Sequence, residues 1–341
     1  MRCATTARGA RSAYHPWVSR RVLITGITGF AGSHLAERLL RDGHEVHGTA
    51  NEPPPHPNLE PVVGEVRLHA ADLRDAESLV AAVRAAAPDA VVHLAGQAIP
   101  SLAQRDPLGT VDLNVGGTAR LLAAITPREG TRLVYASSAD VYGVPDRTPV
   151  AEDTPLRPTN VYAATKAAAE ALVREFGDHG THPTTILRPA NQNGPRQHPG
   201  LAASGFARQI AEAESGAAPA VIRHGRLDAK RDFLDVRDMA AAYAAALELA
   251  PERTETYNVG TGDLVSIAEL LDALVALARI PLRLEVDPER VRPGEAPVLA
   301  LDASAFRARA GWRPTIPLGR SLADTLEHWR SRTPRAAVPA H

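Results

Sequence analysis

The chain has 341 residues, 44% of them hydrophobic and 23% charged, with a formal net charge of −1 at pH 7. That is the composition of a globular protein with room for one large domain or two unequal lobes. So small a charge argues against bulk attraction to nucleic acid or an anionic membrane, and no apolar run is long enough to span a bilayer. A single cysteine, Cys3, excludes disulfides and cysteine metal sites, and thirteen histidines without ligand spacing point to no metal.

Residues 1–20 carry Arg2, Arg8, Arg11 and Arg20 and no hydrophobic stretch, so they are not a secretory signal. They read as a flexible N-terminal extension, with an organellar transit peptide as the alternative; residues 332–341 read as a tail. The fold opens at Arg21-Val-Leu-Ile-Thr-Gly-Ile-Thr-Gly-Phe-Ala-Gly. Val22, Leu23 and Ile24 form an apolar run suited to a strand buried on both faces. Gly26, Gly29 and Gly32 follow at three-residue spacing, and Leu35, Leu39 and Leu40 then share one helical face. A strand, a glycine turn and a helix N-terminus together make a phosphate-binding element, because the backbone can approach a pyrophosphate and offer it free N–H groups. Glycine triplets also serve plain turns, so the flanking strand and helix carry the weight.

Glu45–Ala50 reads as a second strand, at whose end a ribose 2′-OH or 2′-phosphate is read. Asn51 and Glu52 stand there without an arginine, which favours NAD and leaves NADP as the alternative. A third strand runs from Val66 toward Asp72 and Leu73; Asp72 either meets the adenine or caps the helix that follows from about Ala76 to Ala87. Ala90–Gly96 is a fourth strand, ending in Leu94, Ala95 and Gly96. Asn114-Val-Gly-Gly-Thr118 opens or interrupts the next long helix. Alternating strands and helices define an α/β chain with a doubly wound parallel sheet. Residues 21–185 are read as its dinucleotide-binding domain. Residues 186–331 are read as a smaller substrate lobe partly interleaved with it.

The strand beginning at Leu133 turns abruptly polar at Ser137, Ser138 and Asp140, at the sheet edge that faces a ligand crevice. Downstream, Tyr162-Ala-Ala-Thr-Lys166 starts a helix expected over Ala163–Phe176, and residues four apart share a face. A cation beside a phenol favours its phenolate, so the spacing predicts a Tyr162 pKa lowered toward neutrality. Such pairs are common in helices. What singles this one out is that Lys166 and Lys230 are the only lysines in an arginine-rich chain.

With these residues in place, the chain resembles the extended branch of the short-chain dehydrogenase/reductase superfamily, the NAD-dependent epimerase/dehydratase family, from about Arg21 to Trp329. The resemblance implies a Rossmann-type fold and a Ser–Tyr–Lys set. In that set Ser138 bonds the substrate oxygen, Tyr162 exchanges the proton, and Lys166 holds a nicotinamide ribose. It assigns the cofactor to Gly26, Thr28, Gly29, Phe30, Ala31, Gly32, Asn51, Asp72, Leu73, Leu94, Ala95, Gly96, Asn114 and Pro189. Asp140 stands two positions after Ser138, where sugar-nucleotide dehydratases carry a glutamate after a threonine. A carboxylate one methylene shorter disfavours elimination, and the bland alternative is a solvated acid. Arg188-Pro-Ala-Asn191 resembles a substrate-diphosphate segment of the superfamily, and Phe206-Ala-Arg208, the stretch around Arg231 and Arg292-Pro-Gly-Glu295 most resemble GDP-4-dehydro-6-deoxy-mannose reductases and GDP-mannose 4,6-dehydratases. By that likeness Asn191, Arg208, Arg231, Arg292 and Glu295 bind the nucleotide-sugar, although any one arginine in such a chain could serve a surface ion pair. The implied activity is NAD(P)H-dependent reduction at C4 of a GDP-linked 4-keto-6-deoxy hexose, with 4-epimerase and 4,6-dehydratase as alternatives. The same likeness implies a cytoplasmic homodimer.

Overall fold

A computed structural model describes residues 19–290 and 298–334. The first half runs β1 (Arg21–Thr25), α1 (Phe30–Arg41), β2 (Glu45–Ala50), β3 (Arg67–Ala70), α2 (Ala76–Ala86), β4 (Ala90–His93), α3 (Pro100–Arg105), α4 (Pro107–Val111), α5 (Gly117–Ile125), β5 (Arg132–Ala136), α6 (Val161–His179) and β6 (Thr184–Pro189). It continues with β7 (Asn191–Asn193), α7 (Ala202–Glu214), β8 (Val221–His224), β9 (Lys230–Asp235), α8 (Val236–Leu247), β10 (Glu255–Val259), β11 (Leu264–Ser266), α9 (Ile267–Val275), β12 (Arg283–Val286), β13 (Val298–Leu299), α10 (Ser304–Ala310) and α11 (Leu318–Arg332).

Seven strands form one sheet in the order β10-β6-β5-β4-β1-β2-β3, every pair parallel. The chain winds outward from β1 to β3 and then returns to β4 on the other side of β1. This reversal opens a crevice at the carboxyl ends of β1 and β4. Side chains alternate across the sheet as the strand period requires. Val22 and Ile24 pack with α1 and α8 on one face, and Leu23 packs with α2, α5 and α6 on the other. The Rossmann-type α/β architecture expected from the sequence is therefore present.

A smaller body stands over the carboxyl edge. Its core joins α7, α9 and α11 through Phe206, Ile210, Leu270, Leu274, Leu322 and Leu326. β9 pairs with β7, β11 and β13, and β8 pairs with β12. The chain passes between the two bodies more than once: α8 and β10 return to the large sheet after β9 has been laid down in the small one.

Three local outcomes refine the sequence reading. The segment at Asn114 interrupts its helix rather than opening it, as a single π-helical turn over Asp112–Gly116 between α4 and α5. α6 runs beyond both expected ends because the Asn160 side chain accepts the Ala163 N–H at 2.9 Å and starts it earlier. β3 ends at Ala70, which leaves Asp72 and Leu73 in the loop beyond it. Among the described residues no helix is long and apolar enough to cross a membrane.

Candidate active site

The crevice begins at the glycine turn after β1. Gly26 has φ +71°, and a Cβ there would lie 2.9 Å from the Ala95 Cα. A Cβ on Gly32 would lie 2.2 Å from the Gly26 carbonyl oxygen, so the turn closes only with glycine at both places. Gly29 differs, since its Cβ would meet only the Gly26 oxygen at 3.2 Å and otherwise point into open space. Gly29 caps α1, and no side chain supplies an acceptor to the first turn, so the N–H groups there are left for a ligand. The Asn58 amide, which sequence reasoning missed, donates to the Thr28 carbonyl at 3.0 Å and braces the turn. A bare helix N-terminus behind side-chain-free backbone fits the diphosphate of a dinucleotide.

Thr28, Phe30, Ala31, Asn51, Asp72, Leu73, Leu94, Ala95, Gly96 and Pro189 line the same cleft. Asp72 is not the helix cap: that role falls to Asp75, whose carboxylate accepts the Glu77 and Ser78 N–H groups. Asp72 instead accepts two hydrogen bonds from the Arg74 guanidinium and one from its N–H, which hold its carboxyl below the ordinary range. Asn114 is not among the residues that line the cleft. The π-helical turn aims its side chain inward, where it accepts the Gln97 N–H at 2.7 Å and donates to the Thr165 hydroxyl at 2.9 Å. It ties the end of β4 to α6 and acts through backbone placement.

The polar end of β5 and the first turn of α6 meet midway along this cleft, whose volume is about 820 Å³. Ser138, Asp140, Tyr162 and Lys166 all line it. Ser138 stands two residues beyond β5 with its hydroxyl accepting the Asp140 N–H at 3.2 Å, and it acts on the Tyr162 phenol. Ser137 also lines the cleft and donates to the buried Glu170 carboxylate. Lys166 donates to the Ala136 carbonyl at 2.7 Å and lies 5.0 Å from the centre of the Tyr135 ring.

This geometry overturns the expectation for the phenol. The Tyr162 pKa is raised, first because burial strips water from a phenolate and second because the Asp140 carboxylate is a like charge; the Ser138 contact offsets only part. The ammonium of Lys166 is turned under β5 and does not compensate. Burial lowers Lys166 itself to about 8, with Glu170 pulling the other way. His93, sealed between the Thr25 and Thr118 hydroxyls, is held down to about 3 by burial, with Lys166 adding to the effect. At neutral pH the centre therefore holds a proton on Tyr162, a neutral His93 and a charge on Lys166.

Beyond the phenol the cleft becomes basic. Arg231, buried on β9, and Asn191, exposed on β7, both reach its wall, joined by Arg105, Arg226 and Arg290, which sequence reasoning did not single out. Arg226 is bound to Asp228 and Arg290 to Asp287, each by hydrogen-bonded ion pairs. Arg208 is not brought to the cleft: its guanidinium lies along α7, 3.7 Å from Glu212. Arg292 and Glu295 lie outside the described residues. Lys230, the other lysine, is exposed.

A parallel sheet with a glycine cradle, and a Ser–Tyr–Lys set at its carboxyl edge, define an enzyme of the short-chain dehydrogenase/reductase type. The family profile described as GDP-mannose 4,6 dehydratase matches residues 23–325, and the chain belongs to that family. A GDP-6-deoxy-D-mannose reductase of Pseudomonas aeruginosa is 35% identical over 92% of this chain and 99% of its own length. A UDP-glucose 4-epimerase of Mycolicibacterium smegmatis is 32% identical over 92% of this chain and 99% of its own. Among solved structures, RMD from Pseudomonas aeruginosa complexed with NADPH matches with a TM-score of 0.79 at 32% identity, covering 92% of this chain and 100% of that one. UDP-glucose 4-epimerase from Thermus thermophilus in complex with NAD matches at 0.80 and 33%, covering 91% and 98%.

Proposed function

We propose that this protein is a nucleotide-sugar oxidoreductase that reduces C4 of a GDP-linked 4-keto-6-deoxy hexose. The observation that carries the reading is the position of Tyr162: a phenol that keeps its proton at neutral pH, in one cleft with the glycine turn and a set of arginines. The cofactor, NADH or NADPH, supplies the hydride when bound. The glycine turn, Asp72 and Lys166 would hold it. Asn51 at the end of β2, with no arginine beside it, supports NADH, while the reductase relative bound to NADPH supports the phosphorylated form.

Each remaining role belongs to a side chain of this protein. Ser138 and Tyr162 together address one substrate oxygen, Ser138 by hydrogen bonding and Tyr162 by giving its proton as that oxygen gains charge. A buried, proton-retaining phenol suits a donor in the reducing direction. Asn191 and Arg231 face the other end of the substrate, where an arginine fork matches phosphate oxygens. Arg292 and Glu295 are retained as candidate nucleotide contacts on resemblance alone. The division into a dinucleotide domain and a substrate lobe follows from the same reading, with the cleft between them. The epimerase relatives support a 4-epimerase as the second reading, because both reactions use the same phenol.

Leu108 is 85% exposed and Val111 47% exposed on α4, which packs against α6; a second copy covering this face would make the expected homodimer. One cysteine in the whole sequence suits a reducing compartment such as the cytoplasm.

The decisive experiment incubates the purified protein with GDP- and TDP-linked 4-keto sugars, with and without NADH or NADPH. Net oxidation of the reduced cofactor with the GDP sugar supports the proposal. Interconversion of C4 epimers without cofactor consumption would replace it with the epimerase. Tyr162→Phe is expected to lose about 10²–10⁴-fold in turnover, the range for one proton-transfer group, with cofactor binding intact.

A further inference from the structure

Behind the cleft lies a charged pair that none of the chemistry above uses. Arg188 on β6 grips the Glu170 carboxylate of α6 with Nε at 3.0 and 3.2 Å and one terminal nitrogen at 2.7 Å. Their side chains are 5% and 4% exposed. The other terminal nitrogen of Arg188 donates to the Tyr142 hydroxyl and to the Glu152 carbonyl, both at 2.9 Å, and Tyr142 in turn donates to Asn258 at 2.7 Å. Glu170 also accepts from the Ser137 hydroxyl, one residue before Ser138. It stands four residues after Lys166 on α6, on the same helical face.

Lys166 meets Glu170 on its own helix, Tyr135 and the Ala136 carbonyl on β5, and His93 on β4, while Asp140 acts on Tyr162. Burial keeps Tyr135 and Tyr162 protonated and His93 unprotonated at neutral pH. Of the groups beside the ammonium on α6, β4 and β5, Glu170 is the carboxyl group, and Arg188 is its ion-pair partner.

We propose that the Glu170–Arg188 pair is the positioning element of this active site, with Glu170 holding the Ser137–Ser138 end of β5 in place one helical turn from Lys166. This rests on the oxidoreductase reading for its purpose, though not for its test. Buried charges act strongly on one another because little water screens them. Glu170→Gln leaves a bare Arg188 cation and therefore disfavours a charged Lys166. Arg188→Met leaves a bare Glu170 anion and favours it. A residue that merely props the fold would not give opposite signs.

The chain offers a direct readout. With only Lys166 and Lys230 in the sequence, full-length protein carrying ¹³C-labelled lysine gives two side-chain resonances, which Lys230→Arg assigns. The Lys166 resonance is expected to titrate near 8 in the parent, at least about one pH unit lower in Glu170→Gln and higher in Arg188→Met. The double variant should return toward the parent value. Shifts of equal sign, or an unmoved Lys166 titration in whichever variant folds, would overturn the proposal. NADH and NADPH titrations of the same samples separate the two claims. A parent that binds neither cofactor defeats the oxidoreductase reading and leaves the lysine result standing.

Discussion

The two ends of the cleft are built in opposite ways. At the glycine turn the site consists of backbone and missing side chains: a Cβ on Gly32 has nowhere to go, and one on Gly26 would press on Ala95. At the far end it consists of long cationic side chains, of which Arg226 and Arg290 are fastened to neighbouring carboxylates. The first end recognises a shape and a diphosphate through fixed N–H groups, so its geometry fails abruptly. The second recognises charge through rotamer-rich groups, so it should fail by degrees and be open to exchange of specificity.

The largest effect is expected at the rigid end. Gly32→Ala drives a methyl to within 2.2 Å of the Gly26 oxygen. Overpacking of this kind costs about 1–3 kcal/mol of stability, and displacing the turn is expected to weaken dinucleotide binding as well. Thermal melts and NADH fluorescence titration read the two losses separately. Gly29→Ala sharpens the comparison, since its methyl meets only the Gly26 oxygen, at 3.2 Å: the melting temperature should fall less than in Gly32→Ala while dinucleotide binding weakens. If Gly29→Ala bound as well as the parent, the cradle would not be the diphosphate site.

Arg231→Ala should do less and do it elsewhere. Loss of one charge-assisted hydrogen bond is worth about 1.5–3 kcal/mol, or roughly 10–100-fold, and it is expected in the KM for the nucleotide-sugar with cofactor affinity unmoved. Arg231→Lys should recover only part of this, because a point charge cannot reproduce a fork. An equal loss in NADH affinity would mean that the two ends are not independent.

What the sequence disclosed follows the same division. The cradle was legible because steric necessity dictates glycine at Gly26 and Gly32, and strand–turn–helix order dictates where they sit. Tyr162 and Lys166 were legible because helical period alone brings them to one face. The sign of the Tyr162 shift was not, since it depends on burial under the second lobe and on where the ammonium is tied, and spacing records neither. Arg208 sits near the right elements but points along α7 toward Glu212, a choice made by the rotamer. Glu170 and Arg188 are separated by the α6–β6 connection and meet only because β6 lies beside β5. A carboxylate and a guanidinium in otherwise apolar segments were the one available signal.

The smallest effect expected is also the one that separates reaction classes at the hinge between the two ends. Asp140 contributes to keeping the proton on Tyr162, after burial itself. Removing its charge in Asp140→Asn lowers the phenol's folded pKa, so the proton is lost at a lower pH. If the protonated phenol is the donor, activity falls as pH rises through that value. The alkaline limb of kcat should then move to lower pH, by less than about one unit for a single screened neighbour, with turnover at neutral pH changing less than ~10-fold. A dehydratase using Asp140 as its acid–base group would instead lose about 10²–10⁴-fold at every pH, with no shift of the limb. A limb that moves to higher pH would contradict the electrostatics argued for Tyr162, since removing an anion cannot strengthen the hold on a phenolic proton.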